Sequence, residues 1–101
     1  MSNISLRGFD NIDPSEITIV QDRINKTLKK IDFSQLDYDL LKINLKQHKH
    51  SGQFLHELKA DLFLSKGRAL NAKSEDRNLY KAIDDIMKKL LNEIKHKFKK
   101  D

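Results

Sequence analysis

The spacing of apolar residues along this chain shifts between two periods, and each shift marks an element. In "NISLRGF", Ile4 and Leu6 fall on one side and Ser5 and Arg7 on the other, the alternation of a short strand. From Ile17 the interval lengthens. Ile17, Val20, Ile24, Leu28 and Ile31 are separated by 3, 4, 4 and 3 residues, a single stripe that predicts an amphipathic helix over 14–31. Its start is signalled by Asp13 as N-cap, Pro14 at the first helical position and Glu16 three residues after the cap, a capping-box-like pattern.

"DFSQLD" interrupts the stripe as a loop, and alternation then returns. Leu41, Ile43 and Leu45 share one face, with Lys42, Asn44 and Lys46 opposite, and a turn follows at Ser51-Gly52. Leu58, Ala60, Leu62 and Leu64 line a second, antiparallel strand. After a turn at Lys66-Gly67, Leu70 and Ala72 point inward from a short third one. A sheet apolar on one face needs that face covered. The expected architecture is therefore α+β, in the order β-α-β-β-β-α. A four-stranded sheet carries two amphipathic helices packed on one face, and residues 1–101 form a single domain.

The last helix is expected from about Arg77 towards Lys99, with Asp76 as its N-cap. At 100° per residue, Leu79, Tyr80, Ile83, Ile86, Met87, Leu90, Leu91, Ile94 and Phe98 occupy about a third of the wheel. Lys81, Lys88, Lys95 and Lys99 line up on the opposite side over about 27 Å. Lys89, His96 and Lys100 flank them. Between Ile86 and Lys100 there are six lysines and one acid, Glu93. The first helix repeats the tendency: Lys26, Lys29 and Lys30 face away from its stripe and Arg23 sits at the flank.

The chain has a net charge of +5, 35% charged residues and no cysteine. Disulfides, thiolate metal sites and cysteine nucleophiles are excluded, and a reducing, cytoplasmic setting is expected. No apolar run approaches the roughly 20 residues of a membrane span. Lysine is the ordinary occupant of exposed helix positions, and late lysines also complement the helix dipole. The same sign asymmetry on two helices instead favours a basic ridge that meets RNA.

The segment "SEDRNLYKAIDDIMKKL" resembles the start of the last helix in the ribosome hibernation-promoting factors and ribosome-associated translation inhibitors. Leu79, Tyr80, Ala82, Ile83 and Asp84 match that family's pattern, as do Ala72 and Glu75. Asn78 stands at an Asp position, Lys81 replaces an Ala, and Asn92 sits where an arginine is common. Lys89 matches a family lysine. The resemblance covers the chain in element order and residues 72–90 in identity, and the chain looks like a short member without the added dimerisation domain.

The resemblance implies a non-enzymatic factor, active in stress or stationary phase. It would bind the decoding region of the 30S subunit in the 70S ribosome or in 100S ribosome dimers. Contacting 16S rRNA where mRNA and tRNA bind, it would block translation reversibly, with no cofactor, metal, membrane or small-molecule substrate. The candidate phosphate contacts are Arg23, Lys26, Lys30, Lys81, Lys88, Lys89, Lys95 and Lys99. Lys89 comes from the resemblance and the others from helix phase.

Other readings remain open on the residues. A double-stranded-RNA-binding domain has an α-β-β-β-α order contained in this one. A small nuclease would use Asp84 and Asp85 with a metal, although Asp84 is expected to act locally, pairing with Lys81 or Lys88 at helical spacing or fixing a nearby loop. A protein-interaction module would use a sheet-face patch of Leu55 and Phe63. His48 and His50 form a His-x-His pair with no third ligand evident, and read as exposed hairpin residues. Tyr80 is expected to be core with a polar tip.

Overall fold

The structure, a computed structural model, describes residues 4–33, 37–65 and 67–97, without the side chains of residues 31–33, 50 and 97. Its elements are β1 (Ile4–Arg7), α1 (Pro14–Phe33), β2 (Tyr38–His50), β3 (Gln53–Leu64), β4 (Ala69–Asp76) and α2 (Leu79–Lys97). This is the expected β-α-β-β-β-α order. The sheet order is β1-β2-β3-β4. β1 is parallel to β2, whereas β2–β3 and β3–β4 are antiparallel, so the sheet is mixed.

Register places the apolar residues of each strand side by side. Leu41 lies opposite Leu62, Ile43 opposite Ala60 and Leu45 opposite Leu58. Leu62 in turn lies opposite Leu70, and Ala60 opposite Ala72. All are buried. Val20, Ile24 and Leu28 of α1 and Ile83, Ile86, Met87 and Leu90 of α2 close the same core. The period-four stripes and the period-two alternations thus meet in one layer, which leaves the opposite sheet face bare.

Ser74 is the one polar member of that layer among the described residues. Its hydroxyl donates to the Ala82 carbonyl at 2.8 Å, which satisfies it and ties β4 to α2. Gly8 follows β1 with φ +81°, and a Cβ there would lie 2.1 Å from the Leu45 carbonyl oxygen. Only glycine fits this crossing of the chain over β2. At the hairpin, Ser51 and Gly52 both have positive φ, 53° and 80°, as a two-residue loop matched to strand twist requires.

Both helix starts differ in detail from the sequence pattern. Asp13 caps α1, but its carboxylate accepts the Ser15 backbone N–H at 2.9 Å and the Ser15 hydroxyl at 2.8 Å. Those two bonds hold its carboxyl below the ordinary range, the backbone one chiefly. At α2 the cap is Asn78, not Asp76: its side-chain oxygen accepts the N–H groups of Tyr80 and Lys81 at 2.9 and 3.1 Å. Asp76 remains in β4, paired with His56, and accepts the Asn78 N–H at 2.8 Å. Strand pairing therefore runs further than the apolar alternation suggested, and the helix starts later.

Candidate nucleic-acid interface

α2 sits on β4 and β3 and lies beside α1. Its apolar stripe is turned into the core, which forces the opposite side outward. Lys81, Lys88 and Lys95 are all exposed. Their seven-residue spacing returns to nearly the same wheel angle, so they form a line of about 21 Å at 1.5 Å per residue. Among the described residues, none of the three has a carboxylate within ion-pair distance. On α1, Lys30 is exposed in the last turn, and Lys26 is loosely drawn to Asp22 at 3.8 Å. Lys99 lies outside the described residues.

Two of the candidates are held by the protein itself. Arg23 of α1 bridges to Asp84 of α2, and its guanidinium lies 5.1 Å from the centre of the Tyr80 ring. Asp84 is therefore paired across the helix seam rather than with Lys81 or Lys88 as its spacing suggested. The pair borders an open groove between the helices, lined also by Ile19, Lys26 and Thr27. Lys89 bonds Asp85 at 3.1 Å and donates to the Lys73 carbonyl at 2.8 Å. It reaches around the edge of the sheet and covers one open carbonyl of β4.

The carboxylates proposed for a nuclease are both occupied by these cations, Asp84 by Arg23 and Asp85 by Lys89. His48 meets Glu57 at 3.3 Å, and the side chain of His50 lies outside the described residues. Leu55 and Phe63 do share the outer sheet face. They stand eight residues apart on one strand, about 27 Å, so they do not form one patch. Tyr80 is half-buried and packs against the core, and its outward ring face receives Arg23.

A sequence model of one family, described as sigma 54 modulation protein / S30EA ribosomal protein, matches residues 3–101. The chain belongs to this family. As an S30EA-family protein it is ribosome-associated. No curated protein sequence matches it. Several solved structures are similar in fold. A ribosomal subunit interface protein from Coxiella burnetii aligns with a TM-score of 0.75 at 19% identity, covering 97% of this chain and 99% of that one. The N-terminal domain of Protein Y from Thermus thermophilus aligns with a TM-score of 0.56 at 22% identity, covering 95% and 98%.

In this S30EA-family chain, sequence phase found the exposed lysines but not the Arg23–Asp84 bridge, whose members are 61 residues apart. The signal available beforehand was modest: Arg23 sits at the flank of its stripe, where a long side chain can reach a neighbouring element. Lys89 gave no such sign, because its carbonyl acceptor belongs to the backbone of another strand.

Proposed function

We propose that this S30EA-family protein is a ribosome hibernation factor. It binds the 30S decoding region through the outer faces of α1 and α2 and reversibly blocks mRNA and tRNA. The observation that carries this reading is the line Lys81, Lys88 and Lys95, exposed and without carboxylate partners among the described residues. Lys26 and Lys30 extend the basic surface, and 16S rRNA phosphates are the complementary partner. Arg23 and Lys89 flank that surface with their charges already engaged within the protein. Inhibition is steric: a rigid wedge occupies space that tRNA needs. It requires no bond to be made or broken, and no metal or cofactor. The protein works in the cytoplasm on 70S ribosomes or 100S dimers.

Ribosome co-sedimentation against salt tests this. Three phosphate contacts at ~0.9 each give a slope of log affinity against log salt steeper by about 2.7 than in their absence. Changing Lys81, Lys88 and Lys95 together to Glu should abolish co-sedimentation at salt concentrations where the native protein still binds, with its circular dichroism unchanged. Binding that survives the triple change refutes the ridge as docking surface.

A further inference from the structure

The bare face of the sheet carries a feature that the helix ridge does not use. The registers of three strand pairs join Arg7 to Asn44, Asn44 to Lys59 and Lys59 to Lys73, so these four side chains form one row across all four strands. The row holds three cations and an amide, and no carboxylate.

Lys59 and Lys73 are the unusual pair. The Lys73 carbonyl accepts a bond from Lys89, so it points away from β3 towards the open edge. A strand residue's N–H and C=O point the same way. Lys59 and Lys73 are therefore a non-hydrogen-bonded pair, the kind with Cα atoms only ~4.5 Å apart and side chains closest. Like charges directly opposite weaken a sheet. Both lysines are exposed, and among the described residues neither they nor Arg7 has a carboxylate within ion-pair distance.

The carboxylates in the adjoining rows offset this only diagonally. Asp61 accepts the Asn71 amide, and Glu57 is drawn to His48. Glu75 lies opposite Glu57 and diagonal to Lys59. On the same face, four residues along β3 and ~13 Å from Lys59, Phe63 is 39% exposed. A cationic row with an aromatic ring a short distance away on an uncovered sheet face suits an unpaired strand, whose phosphates meet the lysines while a base stacks on the ring. A duplex would leave that ring without a partner.

We infer that the outer face of the sheet is a second RNA surface, separate from the helix ridge. It takes single-stranded RNA, with Arg7, Lys59 and Lys73 on the phosphates and Phe63 as the stacking platform. The ribosome-associated protein would then hold RNA on both of its faces, one through each layer.

Fluorescence anisotropy of a short labelled oligouridylate with the full chain tests the inference. Lys59→Gln/Lys73→Gln should make the salt slope shallower by about 1.4, two contacts at ~0.7 each for a single strand, without lowering the melting temperature. Lys59→Arg/Lys73→Arg keeps the charge and should keep the native slope, which separates phosphate contact from fold damage. Phe63→Ala should weaken binding about fivefold or more. The change of Lys81, Lys88 and Lys95 to Glu should leave most oligouridylate binding in place, while its effect on ribosome co-sedimentation judges the helix reading independently. The inference is overturned if the glutamine pair binds with native affinity and slope, or if only the helix variant loses the oligonucleotide. It is equally overturned if the sheet face takes polyglutamate and not RNA.

Discussion

Replacing Arg23 by Ala should cost stability and leave the salt slope of ribosome binding nearly untouched. The side chains of Arg23 and Asp84 are 38% and 55% exposed, so their ion pair falls in the solvent-screened range of about 0.2–1 kcal/mol. The guanidinium 5.1 Å from the Tyr80 centroid adds about 0.5–1 kcal/mol at such exposure. Together Arg23→Ala should cost about 0.7–2 kcal/mol, a drop in Tm of roughly 3–16 °C for a domain of this size. A double-mutant cycle isolates the bridge. Urea unfolding of the native protein, Arg23→Ala, Asp84→Ala and the double variant should give a coupling of about 0.2–1 kcal/mol, smaller in 1 M salt. In co-sedimentation, Arg23→Ala should keep the native slope, whereas Lys88→Ala should reduce it by about 0.9. No measurable coupling, or a loss of slope equal to that of Lys88→Ala, would refute the assignment of Arg23 to the helix seam.

Two further outcomes follow from the chain's turns and caps. Gly8→Ala must place a Cβ 2.1 Å from the Leu45 carbonyl oxygen, with φ +81°. The left-handed conformation costs ~1–2 kcal/mol and the backbone clash adds as much again, so thermal unfolding should begin at least ~10 °C earlier. A native Tm would mean that β1 does not cross there. The Asp13 carboxyl is held below its ordinary 3.8 by the Ser15 N–H and hydroxyl. A depressed carboxyl stabilises the fold above that value, and the contribution is lost as pH falls through the folded-state value. Urea midpoints of the native protein should therefore decline over that acid window more than those of Asp13→Asn, which keeps a capping oxygen at every pH; parallel declines would contradict the cap.

How far the molecule can be read from its residues depends on the range of the interaction involved. The stripe Ile17, Val20, Ile24, Leu28 and the alternation of Leu58, Ala60, Leu62 and Leu64 were enough to predict α1, β3 and the face each buries. Period is set by backbone geometry within a few residues, so composition and spacing carry it. For the same reason the outward line Lys81, Lys88, Lys95 was legible: a helix that buries one side must show the other. The parallel pairing of β1 at the sheet edge, the start of α2 at Asn78 and the demand for glycine at position 8 came from the tertiary structure. Each depends on where a distant strand lies. The fates of the charges were decided there too. Arg23 and Lys89 look like any exposed cation in sequence, and only packing brings Asp84 to Arg23's side chain and the Lys73 carbonyl to that of Lys89. Local periodicity determined which residues face outward. Which of those remain free to meet a partner was decided by contacts between residues far apart in the chain, because a charge is available for binding only where the fold has not already paired it.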